Sequence, residues 1–317
     1  MPTTIPPAAA VAVVLALLAG CGPAPAAAPT PTVASPSGAD GSLTARLAAR
    51  IVAVPGARVA VAYRDLGGPD SLFMLADSAF HAASTMKVPV MVELFRQADA
   101  GRLSLDAELP LRNAFASIVD GSTYALDPGD DSDSSLYARV GGTVPVRELL
   151  ERMITRSSNL ATNAVIELVD AAAVRRTSAA LGAADMRVLR GVEDGKAYAA
   201  GLNNTTTARA LAALMVAIEQ GRAASPAATA AMRDILLRQE FNDEIPAGVP
   251  PGTPVAHKTG SITATRHDAA IVYPRGAPPY VLVVLTGAIP DPAVARGLMR
   301  DLSRLVYEDH ARRHARR

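Results

Sequence analysis

Tryptophan is absent from the 317 residues, cysteine occurs once, and three lysines stand against 28 arginines. With only five Phe and seven Tyr besides, a stacking platform for single strands or sugars is excluded. The lone cysteine, Cys21, excludes an intrachain disulfide framework and a cysteine-based metal cluster. Neither sign of charge dominates: 31 basic and 30 acidic side chains leave +1, which argues against electrostatic capture of nucleic acid. The five histidines, taken as scattered and without paired spacing, give no zinc site, and no metal or other cofactor is expected. The scarcity of lysine makes the places of Lys87, Lys196 and Lys258 worth asking about, because arginine cannot give up its proton and lysine can.

Half of the residues are hydrophobic, and a chain of this length can bury one large or two medium cores without staples. Residues 8–18 form an eleven-residue apolar run, too short to span a bilayer and right for a signal-peptide core. The run ends in Leu18-Ala19-Gly20-Cys21, which resembles a bacterial lipobox, where the cysteine becomes the lipidated first residue. Residues 1–7 lack the usual basic side chains, and an ordinary signal peptide with an incidental cysteine is the other reading. Residues 22–42 are rich in Pro, Ala, Thr and Ser with one charge, Asp40, the composition of an extended tether. The expected organisation is a signal peptide over 1–20, a tether over 21–42 and an exported domain over 43–317. That domain would be periplasmic or at the cell surface, anchored to the membrane through lipidated Cys21.

Periodicity predicts a helix over 43–54 and strands over 58–64 and 71–75, then a helical middle. Helices are expected over 85–100, over 171–181, 206–220 and 226–239, with Thr143 placed to cap another that has Pro145 in its first turn. Asn159 is placed to cap the helix running to Val169. Strands return over 253–259, 268–273 and 280–286, before a final amphipathic helix over 293–312. Strands at both ends around a helical middle predict an α+β fold with one sheet assembled from the two termini. The sheet part would cover about 43–80 and 245–317, and the inserted helical part about 84–240.

Ser84-Thr85-Met86-Lys87 opens the first middle helix. The three-residue spacing sets Ser84 and Lys87 on one face, and a serine there gains from the positive end of the helix dipole. A desolvated lysine near another cation can take a serine's proton. Lys258-Thr259-Gly260-Ser261 lies at the end of a predicted strand, and Ser157-Ser158-Asn159 in a loop between two helices. The three motifs in this order resemble those of the class A serine β-lactamases and penicillin-binding proteins, S-x-x-K, S-D-N and K-T-G. The likeness continues through the helix containing Asn163 and through Asn204-Thr205-Thr206-Thr207, and covers roughly residues 43–312.

The resemblance implies a three-layer α/β/α domain with an inserted all-helical domain, and it implies roles. Ser84 would be the acylated nucleophile and Lys87 its base or proton shuttle. Ser157 would relay a proton to the leaving nitrogen, and Asn159 would hold the substrate's side-chain amide. Lys258, Thr259, Gly260 and Ser261 would bind the substrate carboxylate, and the backbone N–H groups of Ser84 and Ser261 would form an oxyanion hole. Glu193 falls near the position of the family's deacylating glutamate; the alternative is a solvated ion pair with Lys196, three residues on. The sequence departs from the pattern in three places. Asp194 follows Glu193 where proline is expected, Ala197 stands where an asparagine would help hold water, and Ser158 replaces the aspartate of S-D-N.

The stretch between Ser84 and Ser157 is also about a dozen residues longer than in the family. It carries Asp127, Asp130, Asp131 and Asp133, whose spacing is not that of a calcium loop, so a solvated surface loop is expected. Arg266 or His267 could add a carboxylate contact or face solvent. His267-Asp268 lacks the G-x-S-x-G elbow that a Ser-His-Asp hydrolase would need. The C-terminal arginines suit a frayed helix end, with anionic lipid heads as the lesser alternative. The expectation is a monomeric serine hydrolase resembling class A β-lactamases, acting on a β-lactam or peptidoglycan-like small molecule. The alternatives are a D,D-peptidase or esterase, or a non-catalytic β-lactam or peptidoglycan sensor.

Overall fold

Alternating and helical periods assemble the molecule from both ends of the chain inward. The computed structural model describes residues 41–316; the expected signal peptide, Cys21 and all but the last two tether residues lie outside them. Ser42 belongs to the fold, because its side chain accepts the Ala45 amide at 3.2 Å and caps α1 (Leu43–Val52). A hairpin of β1 (Arg58–Asp65) and β2 (Ser71–Met74) follows, then β3 (Phe80–His81), a 3-10 turn over Ala83–Met86 and α2 (Lys87–Asp99). The next stretch is a series of short pieces: β4 (Glu108–Pro110), β5 (Phe115–Ala116), β6 (Thr123–Tyr124), a 3-10 turn over Ser134–Arg139, and β7 (Thr143–Pro145). Then come α3 (Val146–Thr155), α4 (Asn159–Val169), α5 (Ala171–Ala180) and α6 (Gly195–Ala199). Beyond β8 (Thr205–Thr206) lie α7 (Ala208–Glu219) and α8 (Pro226–Leu237). The chain closes with β9 (Val255–Ile262), β10 (Thr265–Val272), β11 (Tyr280–Gly287) and α9 (Pro292–Ala315).

Five strands form an antiparallel sheet in the order β2-β1-β11-β10-β9. Side chains alternate across it. Ala60 and Ala62 of β1, with Val281, Val283 and Leu285 of β11, join the core shared with the helical middle. Val59, Val61 and Tyr63, with Tyr280, Leu282 and Val284, pack under α1 and α9 in a second core. Covering both faces explains why every residue of β11 is buried and why its sequence is one apolar run. The fold is α+β, three layers with the sheet drawn from both ends of the chain and the helical middle inserted, as expected. No helix among the described residues is long and apolar enough to cross a membrane.

The differences from expectation are local. Thr143 is in strand β7, paired to β4, and the residue before α3 is Pro145, which has no side-chain acceptor. Ser158, not Asn159, caps α4, accepting the Ala161 amide at 3.2 Å. Strand β9 runs on to Ile262, so Lys258-Thr259-Gly260-Ser261 lies inside a paired strand. The two- and three-residue strands were not foreseen, since a segment that short has no period to detect.

Leu302 of α9 is fully buried in the second core, whereas Val294 on the same helix is 41% exposed. Leu302→Ala should lower unfolding free energy by about 2–5 kcal/mol, and Val294→Ala by about 0.5 kcal/mol or less, as read from urea midpoints.

Candidate active site

Ser84 is set by the strand that precedes it. β3 pairs with β8, the Ala82 amide donates to the Asn204 carbonyl at 2.8 Å, and Ala83 at φ 46° turns the chain into the 3-10 turn. The serine therefore stands one turn before α2, not within it, while residues three apart in a 3-10 turn still share a side. Partly exposed, it lies between two clefts of about 620 Å³ and about 370 Å³, and Asp130, Asn159 and Ser261 line both with it. Gly260 on β9 passes so near that a Cβ there would sit 2.9 Å from the Ser84 nitrogen and 3.0 Å from that of Thr85. Only glycine lets the strand reach the turn this closely.

Behind Ser84, two of the three lysines converge on one hydroxyl. Lys87 Nζ donates to the Ser157 carbonyl at 2.6 Å, to Ser157 Oγ at 3.1 Å and to Asn159 Oδ1 at 2.9 Å. Lys258 Nζ reaches the same Ser157 Oγ at 3.0 Å and the Thr259 carbonyl at 2.9 Å. Both lysines are wholly buried. Burial first, and then the charge of Lys258, pushes the Lys87 amine well below its ordinary pKa, against the opposing pull of Asp131 and Glu193. Burial pushes Lys258 down to about 7, against Asp268 and Glu244. A buried amine whose pKa is pushed down, bonded to a hydroxyl at 3.1 Å, can accept and return a proton. Ser157 has φ 57°, a conformation that costs a non-glycine residue about 1–3 kcal/mol and persists only where neighbours impose it.

The third lysine belongs to a loop whose Arg190, Val192, Glu193 and Gly195 line the larger cleft. Residues 187–205 form a loop closed at its neck by the Arg187 and Thr205 backbones, at 2.8 and 3.0 Å. Asn163 of α4 grips the loop: its Oδ1 accepts the Val192 amide at 2.6 Å and its Nδ2 donates to the Val192 carbonyl at 3.1 Å. A Cβ at Gly191 would lie 2.4 Å from that Oδ1, so the grip requires glycine. Glu193, at φ 62°, turns its carboxylate to the Asn159 Nδ2 at 2.6 Å. Desolvation, with Asp131 and Asp130 nearby, raises its pKa despite the Asn159 hydrogen bond and Lys87.

The alternative ion pair with Lys196 does not form. Lys196 instead reaches Asp120 at 2.7 Å and Ser122 Oγ at 2.6 Å, on the turn between β5 and β6. Asp194 docks on the same hairpin. Its carboxylate accepts the Ser117 hydroxyl and the Ile118 amide, each at 2.9 Å, and the Ala197 amide at 3.0 Å. Burial opposes its charge, but those donors and Arg190 hold its pKa below the usual range.

The weaker candidates separate. Arg266 lines the smaller cleft and pairs with Glu244 at 3.1 Å. His267 turns inward, where Nε2 meets the His81 carbonyl at 2.8 Å, so it faces neither substrate nor solvent. Asp268 holds His257 at 3.0 Å, which removes the His267-Asp268 pairing. Of the four loop aspartates, Asp127 and Asp130 are exposed, but Asp131 and Asp133 are buried and engaged with protein donors, contrary to a solvated loop. His310 and His314, four apart on α9, do have paired spacing and meet Asp65. Yet His310 uses both ring nitrogens, on the Tyr63 hydroxyl at 2.7 Å and the Pro278 carbonyl at 2.9 Å, and His314 is bonded to Asp65 at 2.8 Å. These contacts fasten α9 to the sheet. Sequence reasoning missed Asp131 and the docking by Asp194, because their partners lie 28 and 76 positions away and no local pattern marks them.

A model of the beta-lactamase enzyme family matches residues 42–310. A beta-lactamase of Rhodobacter capsulatus is 29% identical over 270 residues, covering 81% of this chain and 85% of the relative. Among solved structures, a PBP-A mutant in an acyl-enzyme complex with penicillin G is 29% identical with a TM-score of 0.70, covering 85% of this chain and 96% of that one. An ancestral class A beta-lactamase is 26% identical with a TM-score of 0.72, covering 84% and 100%.

Asp194→Ala removes the two hydrogen bonds that tie the Glu193 loop to the β5–β6 hairpin, and with them the cap on the Ala197 amide. It should cost about 1–3 kcal/mol in a denaturant titration and raise amide exchange across residues 190–200, with little change in the sheet.

Proposed function

Because the chain belongs to the beta-lactamase enzyme family and is a serine hydrolase of the β-lactamase type, we propose that it opens the amide of a β-lactam ring through an acyl-enzyme on Ser84. The observation that carries this reading is the meeting of the Lys87 and Lys258 amines on Ser157 Oγ, beside a serine open to two clefts. Neutral Lys87 takes the Ser84 hydroxyl proton as Oγ attacks the carbonyl carbon. The backbone N–H groups of Ser84 and Ser261 receive the developing oxyanion, each donor worth about 3 kcal/mol. As the C–N bond breaks, the proton passes from Lys87 through Ser157 Oγ to the leaving nitrogen. Asn159 holds the substrate's side-chain amide, and Lys258 with Thr259 and Ser261 holds its carboxylate. Glu193 then takes a proton from a water that attacks the ester, and as the ester C–O bond breaks that proton returns to Ser84 Oγ, restoring both groups.

A penicillin G acyl-enzyme in a 29% identical relative supports this substrate class. The reading extends to export, with Cys21 as lipid anchor, on the strength of the apolar run that ends in Leu-Ala-Gly-Cys.

A second reading, a D,D-peptidase or esterase with the same acylation step, is favoured by the water side of the site. Position 197, where an amide side chain would help hold water, is a buried alanine, and its N–H is committed to Asp194.

Turnover of a chromogenic cephalosporin should disappear in Ser84→Ala. In Glu193→Gln a long-lived adduct should accumulate in the intact mass after a penicillin pulse. No wild-type turnover at any dose would sink the lactamase reading, and unchanged turnover in Glu193→Gln would remove that carboxylate from the mechanism.

The pH dependence follows from Lys258. It binds a carboxylate only while charged, so kcat/KM for an anionic β-lactam, which reports the free enzyme, should fall as pH rises through about 7. Lys258→Arg should move that alkaline limb upward by about a unit or more, because a guanidinium stays charged. A limb that stays in place would exclude Lys258 as its origin.

A further inference from the structure

Asp131 comes from the extra segment between Ser84 and Ser157, yet its carboxylate is buried in the wall of the site. Oδ2 accepts the backbone amides of Asn159 and Leu160, both at 2.9 Å, the Tyr137 hydroxyl at 3.1 Å and Ser158 Oγ at 3.4 Å. Oδ1 accepts the Asp133 amide at 3.0 Å. The two α4 amides lack acceptors within their own helix, and the dipole there favours an anion. The N-cap Ser158 satisfies a different amide, that of Ala161. The neighbouring Ser132 holds the other side of the turn, its Oγ lying 2.7 Å from the Arg156 carbonyl and 3.2 Å from that of Ser157.

Between these two grips lies Ser157, in a left-handed conformation that non-glycine residues seldom adopt. Its hydroxyl and carbonyl, with Asn159 Oδ1, are what Lys87 binds. We propose that Asp131 is the positioning residue of the Ser157–Asn159 turn, supplying from the inserted segment the carboxylate that Ser158 does not. The side chain touches no substrate in this role. It acts by fixing where Ser157 and Asn159 meet the Lys87 amine, and as a nearby anion it also acts on the amine's charge. The inference rests on the acylation reading above.

The charged groups facing Lys87 are Lys258 from β9, Glu193 from the loop before α6, and Asp131. Removing the Asp131 anion favours neutral Lys87 and moves the acid limb of acylation to lower pH; a purely structural loss would leave that limb in place. The test compares wild type, Asp131→Asn, Asp131→Ala and the double variant Asp131→Ala with Ser158→Asp. Each is pulsed with a fluorescent penicillin across pH and melted in parallel. Asp131→Asn keeps an amide oxygen for the α4 amides; it should stay folded, acylate about tenfold more slowly and show the shifted limb. Asp131→Ala should slow acylation about a hundredfold and lower the melting midpoint. Aspartate at 158, a preferred N-cap residue, should restore both to within a few-fold of wild type.

Wild-type acylation rates in both single variants would overturn the proposal, as would a folded double variant with no recovery of rate or midpoint. The midpoint needs no acylation. If it falls and recovers while the wild type takes up no penicillin, the acylation reading fails and Asp131 remains the clamp of the turn.

Discussion

Two buried amines sharing one hydroxyl constrain everything around them. Two ammonium groups at that separation in a dry interior would repel strongly, so burial and mutual charge drive at least Lys87 toward its neutral form. The protein tempers this with nearby carboxylates. Asp131 and Glu193 favour the charged form of Lys87, and Asp268 and Glu244 that of Lys258. The strained backbone at Ala83, Ser157 and Glu193 surrounds the same group of atoms. Strain of this kind is held by well-packed neighbours, and the core shared by the sheet and the helical middle supplies Ala82, Met86, Ile154, Leu160 and Val192 beside these positions.

What was legible in the sequence follows from how local each requirement is. S-x-x-K, the Ser-Ser-Asn turn and K-T-G-S carry chemistry that few residue types can perform, so the residues stand out whatever the fold does. An arginine could not take the role proposed for Lys87, and the scarcity of lysine drew attention to it. The sheet was legible because β11, the middle of β1 and the second half of β10 are apolar on both faces, and the helices because their stripes repeat over three turns. The positions of Asp131 and Asp194 were not legible. An aspartate in a Gly/Ser segment looks the same whether it faces water or the first amides of a helix 28 residues away. The alternative pairing of Lys196 with Glu193 gives way for the same reason, since Asp120 comes within reach only across the loop.

The departures from the resembled pattern are compensated in space. Where a proline would stiffen the loop after Glu193, Asp194 docks it on the β5–β6 hairpin, and Lys196 adds a second tie. Where a carboxylate is missing at 158, one arrives from the inserted segment. Both substitutes lean on the stretch between α2 and α3, so that stretch helps hold the walls of the candidate site.

The sheet sets a timetable for folding. β1 pairs along its whole length with β11, across separations of more than 200 positions, and contacts so distant in sequence form slowly. During synthesis the first strand has no central neighbour until nearly all of the chain exists, and the helical middle has no sheet to close its core. The native state therefore waits for the last elements, β11 and α9. A polypeptide built this way stays without its finished sheet for most of the time it is being made, and must be kept from pairing wrongly until its end is free.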